Sequence, residues 1–155
     1  MTGKTLKILP SRLESFERFK ERAPDGKVLI ANDPHKRPYG KNPYAYYDSR
    51  NRPYMFFQGD MPEGIGAMVR VVVIDKEAWS LPLLRNKTKV TRGDLEISWQ
   101  AGQNSALDVD DISNGRDVGN VVVRRKNGDG WQDVAHDITF AFVFHAFHPE
   151  GTLHK

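Results

Sequence analysis

The sequence predicts an α+β domain: a twisted antiparallel β-sheet built of hairpins, with one or two helices (11–22 and about 138–147) packed on it. Three observations lead there. AMVRVVVID, Ala67–Asp75, is a β-branched run and the strongest strand signal in the chain. Turn signals follow at Arg92-Gly-Asp94 and Asn127-Gly-Asp-Gly130, each flanked by short apolar segments. Near the N-terminus, Ser11-Arg-Leu-Glu14 opens a stretch whose apolar residues recur at helical spacing.

Taken in order, Lys4–Leu9 (KTLKIL) alternates polar and apolar residues as a half-buried strand does. Ser11 and Glu14 then form a capping box, where hydroxyl and carboxylate satisfy free N–H groups of the first turn. Leu13, Phe16 and Phe19 supply the stripe expected to be buried against the sheet, and Pro24-Asp-Gly26 stops the helix. Lys27–Asn32 (KVLIAN) reads as a strand. Tyr54–Phe57 reads as an edge strand, because Pro53 can precede a ladder but not enter it. After Ala67–Asp75, the chain turns at Asp75-Lys-Glu77 into a return strand ending before Pro82, and Leu83–Asn86 has the length of one helical turn. Two further hairpins pair Lys89–Thr91 with Leu95–Gln100, and Gly119–Lys126 with Trp131–Val134. Between them, SALDVDDISNGRDVG is a polar connection with room for a turn of helix.

An internal echo decides the last element. Phe19-x4-Pro24-Asp-Gly26-x-Val28 recurs 125 residues later as Phe144-x4-Pro149-Glu-Gly151-x-Leu153. Alone, TFAFVFHAF alternates like a strand. The echo predicts a helix that stops at Pro149 as the first stops at Pro24.

At 155 residues the chain reads as a single domain, 1–155, able to bury a core without staples. It has no cysteine, which excludes disulfides, thiolate metal sites and cysteine nucleophiles. The net charge of +3 is too small to argue for a polyanion, and speaks against nucleic acid as a partner. No run is apolar and long enough for a signal peptide or a bilayer span, so no membrane insertion is expected. Nor is any cofactor.

Function is expected in one loop. PHKRPYGKNPYAYYDSRNRPY, Pro34–Tyr54, holds all five tyrosines and four of the nine prolines, interleaved with Lys36, Arg37, Lys41, Arg50 and Arg52. As scaffold, such a loop would use proline to limit unfolded-state entropy and tyrosine to pack on the sheet. As a site, Tyr39, Asn42, Tyr44 and Tyr47 would offer ring faces and polar tips, with Arg50, Arg52 and Arg116 holding a glycan or small anion. Stacking of single-stranded bases on the rings is a third use.

Other clusters carry less. His136, His145, His148 and His154 crowd the last twenty residues, but no glutamate completes a zinc motif, and no metal site is expected. DVDDISNG lacks the glycine and glutamate of a calcium loop, so Asp108 and Asp111 read as turn caps. Asp108, Asp117 and His136 are the acid–base candidates for a hydrolase or lyase, conditional on tuned pKa values. Arg116-Asp117 is either a buried ion pair or a pair of site residues.

Five segments occur in a familiar order: LESFERFKERAPDGKVL, YGKNPYAYYDSRNRPYMFF, VRVVVIDKEAWSLPLL, SALDVDDISNGRDVG and FAFVFHAFHPEGTLHK. Together they resemble the C-terminal part of the bacterial and archaeal domain of unknown function 3179 family. That family shows a Tyr-Gly-x-Asn-Pro-Tyr loop, a Ser-Ala-Leu-Asp segment, a Gly-Arg-x-Val-Gly segment and aromatic helices before proline. Its Cys-Pro-Leu-Cys and Thr-Gly-Ser-x-Trp motifs have no counterpart here, so chemistry centred on them does not carry over. The resemblance implies a family unit lacking its usual N-terminal half and a periplasmic or extracytoplasmic location, and it assigns no reaction. The combined expectation is a non-enzymatic ligand-binding or interaction module of the cell envelope. The acid–base enzyme and the single-stranded nucleic-acid binder stand as alternatives.

Overall fold

The computed structural model describes residue 3 and residues 9–155, so the strand expected over Lys4–Leu9 lies, apart from Leu9, outside the described residues. In chain order the elements are α1 (Phe16–Arg22), β1 (Arg70–Ile74), β2 (Glu77–Ser80), α2 (Leu81–Lys87), β3 (Lys89–Arg92), β4 (Leu95–Gln100), β5 (Asn120–Asn127), β6 (Gly130–Asp133), β7 (Asp137–Phe140), α3 (Ala141–Phe147) and β8 (Thr152–His154). The fold is α+β. Its strands form two four-stranded sheets, ordered β7-β1-β2-β8 and β3-β4-β5-β6. Every pairing is antiparallel except β2 with β8.

Strand β1 organises the core because both of its faces are covered. Val72 and Ile74, with Trp79 of β2, face Leu95, Ile97, Val121 and Val123 of the other sheet. Val71 and Val73 point the other way, under Ala141 and Phe144 of α3. A strand buried on both sides reads as a continuous apolar run, which is why this element was the plainest in the sequence. All three expected hairpins form, at Asp75-Lys76, Gly93-Asp94 and Gly128-Asp129. Ser80 caps α2 by accepting from the Leu83 N–H at 3.2 Å, with Pro82 in the first turn where no donor is lost. The C-terminal run divides: Asp137–Phe140 is strand β7 and the helix starts at Ala141, three residues later than expected.

Several expectations are corrected. Helix α1 begins at Phe16, not Ser11, and its cap is Ser15. The box of Ser11 and Glu14 does not form, because 12–15 is pinned to the second sheet. Arg12 bridges to Asp133 at 2.6 Å, the Ser15 N–H donates to Asn120 Oδ1 at 2.7 Å, and Glu14 turns to Arg22. None of the α1 residues is buried, and Leu13 and Phe16 are exposed. The strands expected over 27–32 and 54–57 do not form, and neither segment pairs with a strand among the described residues. The second is instead a turn, closed by the Phe57 N–H on the Tyr54 carbonyl at 3.0 Å.

Candidate functional site

The Tyr/Pro loop is zipped to the polar connection that follows β4. The N–H groups of Asn42, Tyr46 and Asp48 donate to the carbonyls of Asp110, Asp108 and Leu107, at 2.9, 2.6 and 3.3 Å. Asn42 is buried; its amide donates to the Val109 carbonyl and accepts from the Tyr44 N–H. These bonds make it a brace within the loop. Tyr46 takes a left-handed φ of 62°, a conformation costly for a side chain and held here by these bonds.

This zipper delivers Asp48 into the protein. Its carboxylate is buried, and Oδ2 accepts from Ser105 Oγ at 2.6 Å and from Arg70 Nη2 at 2.9 Å. Arg70 Nη2 also donates to Ser105 Oγ, at 2.8 Å. Burial lowers the pKa of the Arg70 guanidinium, and Asp48 only partly offsets this. Arg116 reaches over the same residue and donates from Nη2 to the Asp48 carbonyl at 2.8 Å. It passes Asp48 Oδ1 at 3.1 Å without the alignment of a hydrogen bond. That oxygen therefore attracts a cation but has no aligned donor among the described residues.

Around this network opens a cleft of about 710 Å³. Arg50, Arg70, Arg85 and Arg116 line it, together with Asp48, Asp117 and Trp99. The four arginines come from four different places: the end of the loop, the head of β1, α2, and the connection before β5. Trp99 is fixed by its indole N–H on the Val118 carbonyl at 3.0 Å. Asp117 caps the backbone: its carboxylate accepts from the N–H groups of Gly102, Gln103 and Gly119. Burial pushes its pKa up, but these three donors together outweigh that and leave it below the ordinary value.

Of the residues singled out from sequence, Arg50, Arg116 and Asp117 meet at the cleft. Tyr39 and Asn42 line a separate, smaller hollow with Arg37 and Asp110. Tyr39, Tyr44, Tyr46 and Tyr54 are exposed, so the loop is not a fully packed scaffold. Arg50 lies over the Tyr54 ring at 4.7 Å, and Tyr54 stacks on Tyr47 at 4.8 Å. Tyr47 is half-buried and meets Phe140 edge-on. Arg52 is exposed and does not line the cleft.

The acid–base trio is not assembled. Asp108 accepts from the Arg116 N–H and the Ser49 hydroxyl, which hold its pKa low. His136 sits between β6 and β7 with Nδ1 on the Val134 carbonyl, joined to neither aspartate by a hydrogen bond. Among the described residues no group of three or more His, Asp or Glu is placed to hold a metal ion. Sequence reasoning missed Asp48, Arg70, Arg85, Trp99 and Ser105. Asp48 lay inside the Tyr/Pro loop and Ser105 inside the SALD segment, both already singled out, but neither residue was picked from them.

The family model described as Protein of unknown function (DUF3179) matches residues 1–151. The chain belongs to this family. No curated protein and no solved structure matches it. Of the five segments that carried the resemblance, three are joined by hydrogen bonds: the Tyr/Pro loop through Asn42, Tyr46, Asp48 and Ser49, Ser105–Asp110 through Ser105, Leu107, Asp108 and Asp110, and Gly115–Gly119 through Arg116. In this DUF3179 chain they build one hydrogen-bonded network, which accounts for their spacing along the sequence without assigning a reaction.

Proposed function

We propose that the chain is a ligand-binding module whose site is the arginine cleft at the end of the Tyr/Pro loop, and that its ligand is a small anion. One observation carries this: four guanidinium groups from four elements line one cleft with a single buried carboxylate and one capped aspartate against them. Guanidinium forks match carboxylate, sulfate and phosphate oxygens, and Arg85 and Arg116 are exposed enough to turn toward a ligand. Asp48 Oδ1 is buried beside Arg116 and lacks an aligned donor, so a ligand hydroxyl reaches it only as Arg116 swings out to the ligand's acid group, a pairing that an acidic sugar supplies and a bare ion does not. Trp99 adds an apolar wall for a sugar face. The proposed location is the cell envelope, supported by the exported character of the proteins the chain resembles.

Thermal shift with phosphate, citrate and glucuronate tests the site. At about one hundred times Kd a ligand stabilises by roughly 2.7 kcal/mol, a shift of several degrees. Glucuronate is expected to raise Tm most. The shift should vanish in Arg85→Ala and Arg116→Ala and persist in Tyr44→Ala. A flat response to all three anions, or a shift that survives both arginine variants, overturns the proposal.

A further inference from the structure

The internal echo in the sequence is an echo in the backbone, and the second copy shows what the first is built to receive. Helix α1 ends at Ala23 with φ −135° and ψ 72°; helix α3 ends at His148 with φ −136° and ψ 69°. In both, the cap N–H returns to a phenylalanine carbonyl at 2.8 Å, Phe19 in one case and Phe144 in the other. In both, a glycine three residues on donates back to the cap carbonyl, Gly26 at 2.8 Å and Gly151 at 2.9 Å. Each glycine lies against that phenylalanine ring, so a Cβ there would come within 2.5 or 2.6 Å of it.

The surroundings differ. In the second copy the ring of Phe144 is buried, and Ala141 and Phe144 pack under Val71, Val73 and Ala78 of the β1–β2 hairpin. The chain past Gly151 then adds to that hairpin in parallel, with Thr152, Leu153 and His154 beside Glu77, Ala78 and Trp79. In the first copy Phe19, which matches Phe144, is only half-buried, and the residues around it are bare. Phe16, which matches Ala141, is 63% exposed, and Val28, which matches Leu153, is 54% exposed. Leu29 and Ile30 stand at 100% and 78%. Among the described residues Lys27–Ile30 enters no ladder.

We infer that Phe16, Phe19 and Lys27–Ile30 form a docking face for a β-hairpin of the β1–β2 kind. Its outer strand would run parallel to Lys27–Ile30, and its small apolar residues would cover the two rings, as Val71, Val73 and Ala78 cover α3. Parallel addition supplies main-chain hydrogen bonds, and the covered rings supply register. An exposed apolar segment needs such a partner, since bare apolar stretches associate with whatever they meet.

The test uses a synthetic peptide of residues 70–87 of this chain, added to the full chain, with amide hydrogen exchange as readout. Exchange across 28–30 should slow about tenfold or more. Leu29→Pro, which lacks the N–H, should abolish the slowing without changing the Tm of the chain alone. The same hairpin fused ahead of Met1 through a flexible Gly/Ser linker should protect 28–30 and raise Tm. If neither peptide nor fusion slows exchange there, the face is not a hairpin dock. A chain that alone has the mass of a dimer in light scattering, and becomes a monomer with Leu29→Pro, has a second copy as its occupant. That result also overturns the inference.

Discussion

Asp48 holds the cleft together through partners that are remote in sequence: Arg70 lies 22 residues away and Ser105 lies 57 away. Removing its carboxylate leaves the largely buried Arg70 guanidinium without its counter-charge and the buried Ser105 hydroxyl without its acceptor. Asp48→Ala should therefore cost about 3–5 kcal/mol in urea unfolding, the usual penalty for breaking a buried charge pair. A loss under about 1 kcal/mol would show that the network does not carry the fold. Gly119 is the second sensitive residue. It holds a left-handed φ of 79°, and a Cβ there would come within 2.1 Å of the Trp99 ring. Gly119→Ala should cost about 2 kcal/mol or more, from the left-handed penalty and overpacking together, and should shift the fluorescence of Trp99. Neither site was legible in the sequence. A lone aspartate in a tyrosine-rich loop carries no local sign of its burial, and the close approach of Gly119 to Trp99 exists only after β4 and β5 have paired.

Elements were legible wherever local chemistry alone determines them. The β5–β6 turn is the clearest case, since Asn127 pairs with Gly130 and leaves Gly128 and Asp129 as a two-residue loop. Gly128 carries a φ of 58°, with open space around it, whereas Gly130 is not left-handed. Both glycines carried the turn signal, but only one needs the geometry. Gly128→Val should destabilise by about 1–2 kcal/mol and Gly130→Val by less than about 0.5, read from thermal melts of the two variants. Equal losses would mean that the turn is built differently. Helix α1 shows the opposite. Its amphipathic stripe predicted burial of Leu13, Phe16 and Phe19, yet the helix is tethered by Arg12 and Ser15 and presents Phe16 outward. Periodicity reports which face can be buried. It does not report whether a covering surface is present.

At the scale of the whole molecule, the α+β class and the hairpin order followed from the sequence, whereas the division into two sheets did not, because strand partners beyond a hairpin leave no local mark. What ties the strands and their connections together is a set of carboxylates with depressed pKa values. An Arg12 hydrogen bond holds Asp133 low; Arg124 and then Lys89 act on Glu96; His154 and then Arg92 act on Glu77. Asp108 and Asp111 are held low by neighbouring backbone and hydroxyl donors. Each of these groups ionises more readily in the folded chain than in the unfolded one. As pH falls, the unfolded chain takes up protons first, so the stability they contribute is full above their unfolded pKa values, near 4, and is lost as pH drops through the folded ones. The urea midpoint should thus be flat from about pH 7 to pH 5 and fall steadily toward about pH 2. Arg12→Met separates one part of this. It should lower the midpoint on the plateau, where Asp133 is ionised, and converge with the parent chain near pH 2, where Asp133 is protonated in both. Parallel curves at every pH would mean that Arg12 stabilises by packing alone, and a midpoint unchanged by acid would mean that these carboxylates gain nothing from their folded partners.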